Sequence, residues 1–152
     1  GRIVAAVVYL PLRNKLYSAQ AGEGAHLNGV PIHAKDREAL LGARVLAAKP
    51  NLDPKHWHGD VPNVEQHYRP SLAYRLALVA EGKYDAMLTL RNSWEWDIAA
   101  GDLLLREAGA VTSDRTGATL RFNNAEPYLN GVVASGKALH KQIGLALARN
   151  VK

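Results

Sequence analysis

The chain opens on strand-like patterns and passes to helical ones. Ile3-Val4-Ala5-Ala6-Val7-Val8-Tyr9-Leu10 is a β-branched apolar run, Pro11 to Asn14 is turn-like, and Lys15 to Gln20 alternates with period two. Together they predict a hairpin. Two glycines in Ala21-Gly22-Glu23-Gly24-Ala25 break the pattern, after which His26-Leu27 and Val30-Pro31-Ile32 flank Asn28-Gly29, the strongest short turn signal in the chain. Arg44 to Ala48 predicts a short strand, and Pro50 to Pro62 a polar loop holding His56, Trp57 and His58. From Ser71 the spacing turns helical, with Leu72, Leu76, Val79 and Ala80 on one face and Gly82 as the stop. Tyr84 to Leu90 predicts a strand, Asp97 to Ala108 a long helix stopped by Gly109, Val111 to Ser113 an extended piece, and Asp114 to Gly117 a turn. Gly131 to Ser135 predicts a buried strand and Lys137 to Arg149 a closing helix.

Strands alternating with helices after residue 43 place the chain in the α/β class, with helices flanking a mostly parallel or mixed sheet. The opening hairpin does not fit that alternation. Residues 1–35 are therefore expected to end a second, antiparallel sheet that is incomplete in this chain, and residues 36–152 to form the α/β part.

Composition narrows the classes. With 152 residues the chain has the size of one domain and can bury a core, and with no cysteine it excludes disulfides, thiolate metal sites and a thiol nucleophile. That favours a reducing compartment, and the cytoplasm is the expectation. The longest apolar run, Ile3 to Leu10, falls far short of the roughly 20 residues of a membrane helix, and no leader pattern precedes it, so no membrane association is expected. Net charge is +5. Lysines and arginines are scattered singly, which argues against a nucleic-acid polymer and suits a small phosphorylated anion.

Candidate chemistry gathers at Trp94-Glu95-Trp96-Asp97-Ile98-Ala99-Ala100-Gly101, an acidic, aromatic turn running into a small-residue helix. Asp97 suits the N-cap, where its oxygen accepts an otherwise unpaired N–H and its charge meets the positive end of the helix dipole. Ala99, Ala100 and Gly101 allow close approach by a ligand or a neighbouring element. Asp102 and Arg106 are spaced for an ion pair. Ser71 reads as a helix cap, Glu95 as a surface residue, and Trp94 and Trp96 as core and rim packing, Trp94 also being able to border a nucleobase. His56, His58 and His67 lack a third ligand at set spacing and read as loop histidines.

Three blocks taken together resemble the inositol monophosphatase superfamily. They are Val7 to Pro11 followed by Leu16 to Ala19 and Gly24 to Gly29; Ser71 to Arg75 with Leu78 to Ala86; and Trp96 to Gly101 with Glu107-Ala108-Gly109, which resembles the family's C-terminal signature. The resemblance implies the layered α/β/α/β/α sugar-phosphatase fold and a magnesium-dependent, lithium-sensitive phosphomonoesterase. In that family two or three divalent ions are held by an early Glu, by an Asp-Pro-Ile/Leu-Asp-Gly-Thr motif and by the Asp of the C-terminal signature. Only the last has a counterpart here, Asp97, which the resemblance makes a Mg2+ ligand. Asp53-Pro54, the only Asp-Pro pair, continues as Lys55-His56-Trp57-His58 and does not match the motif. These residues thus look like the C-terminal half of such an enzyme, expected to be inactive alone.

Substrate expectations follow from the departures. The family's Gly-Ser-Ala type turn, whose backbone faces the substrate, reads Arg69-Pro70-Ser71-Leu72 here. The Glu that inositol phosphatases place before the Trp-Asp pair is absent from Thr89, Leu90, Arg91 and Asn92. This leans towards a 3'(2'),5'-bisphosphate nucleotide over inositol monophosphate, with Arg69 or Arg91 meeting a second phosphate. Ser71 and Leu72 complete the expected substrate-binding set, and homodimerisation is left open. The alternative is a non-catalytic regulatory or assembly half domain.

Overall fold

The computed structural model describes residues 1–148, so Arg149 of the predicted last helix, and the end of the 36–152 segment, lie outside the described residues. The first sheet is an antiparallel meander of β1 (Ala5–Leu10), β2 (Lys15–Gln20), β3 (Ala25–Leu27) and β4 (Val30–Ile32), in that order. Register pairs Ala5 with Gln20 and Leu10 with Lys15. Asn28 and Gly29 join β3 to β4 with φ of 50° and 79°, the left-handed pair that matches the twist of a two-residue hairpin.

The second sheet holds β5 (Arg44–Leu46), β6 (Glu65–His67), β7 (Ala86–Thr89), β9 (Val111–Ser113) and β11 (Val132–Ser135), in the spatial order β6-β5-β7-β11-β9. Its β6, β5 and β7 run parallel, and β11 is antiparallel to both neighbours. It is therefore mixed. The edge strand β6 is not predicted by the pattern, because Glu-Gln-His carries no apolar alternation. A small ribbon pairs β8 (Ser93–Trp94) with β10 (Tyr128–Leu129).

Helices α1 (Leu72–Ala80) and α2 (Glu95–Glu107) pack between the two sheets, and α3 (Lys137–Ala146) covers the outer face of the second. The alternation of side chains across a strand divides the core accordingly. Met87, Val132 and Ala134 join one cluster with both inner helices and with Ala6, Tyr17 and Ala19 of the first sheet. Ala86, Leu88 and Val133 face Leu139 and Ile143 of α3. The first sheet thus shares its core with the helices that follow it. Covered on both sides, α1 is buried throughout Tyr74–Ala80, a wider burial than the single apolar face in its sequence. No helix among the described residues is long and apolar enough to cross a membrane.

The segment 50–62 is more structured than a polar loop. Two 3-10 turns, Lys49–Leu52 and Pro54–His56, lead to Trp57, which is buried, donates from Nε1 to the Asn51 carbonyl at 3.0 Å and bridges to Leu147.

Candidate active site

Ser71 takes a left-handed φ of 68°, and its Oγ accepts the Tyr74 N–H at 3.3 Å, capping α1 as its sequence position suggested. Leu72, next along, turns its side chain to the first core cluster. Asp97 is exposed, and it is not the N-cap of α2. The helix starts two residues earlier than predicted, at Glu95, with Trp94 as a cap that makes no side-chain bond. Asp97 is therefore the third helical residue, still within the first turn, where the dipole favours a carboxylate.

The earlier start has a cause in Glu95, which is buried and not a surface residue. Its carboxylate accepts the backbone N–H groups of Asn123 at 2.8 Å and Asn124 at 3.1 Å, and the Asn124 side-chain amide. Burial alone would raise its pKa. The Asn124 and Asn123 bonds together outweigh that and hold it below the ordinary carboxylate value. Trp94 and Trp96 are not in the core either: they are 37% and 63% exposed, with rings stacked at 4.3 Å and Tyr128 against Trp94.

The two helix starts are related by one close contact. Gly101 lies against Leu76, so close that a Cβ on Gly101 would stand 2.6 Å from Leu76 Cβ and 2.6 Å from Cδ1. Gly101 is four residues beyond Asp97 and Leu76 five beyond Ser71. At 1.5 Å per residue both helix starts lie within about 8 Å, measured along their own helices, of this single crossing. The small residue noted in the sequence serves helix packing.

Arg69 and Arg91 line different cavities. Arg69 donates from Nη1 to the Tyr68 carbonyl at 2.7 Å and borders a cavity of about 470 Å³ with Arg13, Lys15 and Lys83. Arg91, exposed on the turn after β7, borders a cavity of about 320 Å³ with Asn51, His56, Tyr68, Thr89 and Arg75. The walls of this second cavity are held firmly. Asn51 accepts the Leu90 N–H on Oδ1 at 2.9 Å, and Arg115 donates to the Leu90 carbonyl at 2.7 Å. Gly131 is required beside Thr89, since a Cβ there would stand 2.4 Å from the Thr89 carbonyl oxygen.

Arg75 was not singled out in the sequence. It is 7% exposed, its guanidinium sits 5.3 Å from the Tyr68 ring centroid, and its Nε has no hydrogen-bond partner. Burial above all lowers its pKa; Tyr68 works the other way, and the Arg91 charge lowers it further. His56 is half-buried, and Arg115 Nη2 approaches its Nδ1 at 3.3 Å. Burial first, then the Arg115 and Lys55 charges, lower its pKa against the opposing pull of Asp53. An imidazole facing a guanidinium is a poor metal ligand. His67 is engaged by Glu65 at 2.6 Å and packs edge-on to Tyr84.

Among the described residues no three His, Asp or Glu side chains gather as a metal site. Magnesium prefers an octahedron of oxygens with few protein carboxylates, and the exposed Asp97 fits one of those positions.

A mixed sheet with two helices packed between it and an antiparallel meander, and a carboxylate on the first turn of the second inner helix, define a layered α/β protein. A model of the inositol monophosphatase family matches residues 1–152, and the chain belongs to that family. It is 36% identical over 126 residues to the Nus factor SuhB of Escherichia coli strain K12, covering 77% of this chain and 46% of that protein. It is likewise 36% identical over 127 residues to the inositol-1-monophosphatase of Rhizobium meliloti, covering 77% of this chain and 47% of the relative. The crystal structure of inositol monophosphatase-II from Staphylococcus aureus MSSA476 has the same fold, with a TM-score of 0.80 at 22% identity over 95% of this chain and 54% of that one. The chain spans about half the length of the curated relatives it matches.

Proposed function

We propose that this chain is the C-terminal half of a magnesium-dependent phosphomonoesterase that acts on a small phosphate ester, a 3'(2'),5'-bisphosphate nucleotide ahead of an inositol monophosphate, in the cytoplasm. The observation that supports the reading is the crossing at Gly101 and Leu76, which lies within about 8 Å along each helix of Ser71 and Asp97. Family membership supplies the reaction class. A bound Mg2+ would supply Lewis-acid chemistry, lowering the pKa of the attacking water and stabilising the leaving alkoxide. Asp97 would hold one such ion. The Glu95 anchor fixes the turn on which Asp97 sits, and the Ser71 cap holds the start of α1, whose backbone would face the substrate. The absence of an acid beside Thr89 supports a substrate richer in negative charge than a monophosphate.

In the complete protein Asp97→Asn should lower magnesium-dependent turnover roughly 100-fold or more and raise the magnesium requirement, with the circular dichroism spectrum unchanged. Unchanged turnover with normal magnesium dependence would rule Asp97 out. The 152 residues alone should release no phosphate above background, and robust magnesium-dependent release from them would overturn the half-site reading.

The relatives named Nus factor favour a second reading, an assembly module. A complete protein carrying Asp97→Asn that loses turnover yet rescues every cellular defect of a deletion strain would select it.

A further inference from the structure

Arg75 is a buried cation that faces the Tyr68 ring but has no carboxylate partner among the described residues. It is 7% exposed, and its Nε is the one buried side-chain polar atom without a hydrogen bond among the described residues. A buried guanidinium without an anion is costly, because desolvation is not repaid by pairing. The cavity it borders, about 320 Å³, contains Arg91 and His56 and no carboxylate. That volume is at the lower end for small-molecule sites. The remaining groups also suit an anion. With Arg115 donating to Nδ1 of His56, the ring proton belongs on Nε2, which can then donate to a ligand. The Thr89 hydroxyl is a further donor on the wall. Every ionisable group lining this cavity can present hydrogen to an oxyanion, and a planar guanidinium does so bidentately.

We propose that this cavity is an anion subsite that takes a phosphate group, with Arg75 and Arg91 as its binding residues. The phosphate it holds is not the one hydrolysed. Asp97, the residue proposed to hold the metal ion, lies on the first turn of α2 and does not line this cavity. Resting on the proposed phosphomonoesterase reading, the substrate is then doubly phosphorylated: water cleaves one ester to give inorganic phosphate and an alcohol, and the second phosphate leaves intact on the product.

The first test is thermal unfolding of the 152-residue chain in sodium phosphate against sodium chloride of equal ionic strength. Phosphate at tenfold over its Kd should raise Tm by about 3–5 °C. Arg75→Met should raise Tm in chloride, by removing an unpaired buried charge, and abolish the phosphate response. Arg91→Gln, at an exposed position, keeps the fold and should weaken the response several-fold. A wild-type response no larger in phosphate than in chloride overturns the subsite, and so does an equal response in both variants. The second test measures kcat/KM of the complete protein for adenosine 3',5'-bisphosphate and for adenosine 3'-monophosphate. Arg91→Gln should lower the ratio of the two at least tenfold, and an unchanged ratio overturns the assignment of the subsite to substrate. A complete protein that hydrolyses neither ester defeats the phosphomonoesterase reading while the phosphate response of the chain still stands.

Discussion

Placing a methyl group on Gly101 tests whether the α1–α2 crossing sets the inner layer. The new Cβ would lie 2.6 Å from Leu76 Cβ, 2.6 Å from Cδ1 and 3.1 Å from Cγ. Carbon atoms rest at about 3.5–4.0 Å, so the helices must separate by roughly 1 Å. The Cδ1 contact can be relieved by rotation, but the Cβ moves only with the backbone. Overpacking of this kind costs about 3 kcal/mol at the upper end of the usual range, and alanine returns about 1 kcal/mol through helix propensity. Gly101→Ala should therefore destabilise the chain by about 2 kcal/mol, a fall in Tm of roughly 4–8 °C. Urea denaturation gives the free energy, and Leu76→Ala gives the control. Leu76→Ala alone costs roughly 2–5 kcal/mol, but it removes Cγ and Cδ1, so Gly101→Ala should cost about 1 kcal/mol less in that background. A Gly101→Ala chain as stable as the wild type, or an equal cost in both backgrounds, would refute the reasoning.

Other substitutions probe the loop anchor and the acid response. Glu95→Gln leaves one acceptor oxygen and turns its NH2 group towards either the Asn123 or the Asn124 N–H, so hydrogen exchange at one of those amides should accelerate while the centre of α2 stays protected; unchanged exchange at both would show that the anchor does not depend on the charge. His140 is half-buried, with Nε2 at 2.9 Å from Ser113 Oγ, and desolvation lowers its pKa from the ordinary histidine value. The unfolded chain therefore binds the proton first as pH falls, and stability present above about pH 6.5 should decline as pH drops through that value towards the lower folded-state pKa. His140→Gln should flatten this slope in urea midpoints measured between pH 7.5 and pH 5.5, and an unaltered slope would exclude His140 as its source.

Much of the layer order is legible in local pattern because the strands and helix caps are governed by neighbours in sequence. Asn28-Gly29, the Ser71 cap and the Asp102–Arg106 pair, at 3.0 Å, all behave as their spacing requires. Features that depend on distant partners are not. Glu95 is drawn inward by residues 28 and 29 positions further on, so nothing beside it separates it from a solvated acid. The edge strand β6 has no apolar alternation: Glu65 is exposed and Gln66 and His67 are only half-buried. Arg75 would face water on a helix with one exposed side, but α1 is covered by both sheets. Its signal, visible only afterwards, is a lone cation in a nine-residue helix that is otherwise apolar apart from Tyr74.

Glu107, in the last turn of α2, accepts the backbone N–H groups of Gly22 at 2.9 Å and Gly24 at 3.0 Å, and those bonds hold its pKa below the ordinary carboxylate value. By itself a carboxylate at that end opposes the helix dipole. The residue becomes favourable only once the β2–β3 turn has docked on it. Meander and helix therefore reward one another's formation: an isolated α2 peptide carries a mismatched charge at its end, and the assembled layers turn that mismatch into cooperativity between them.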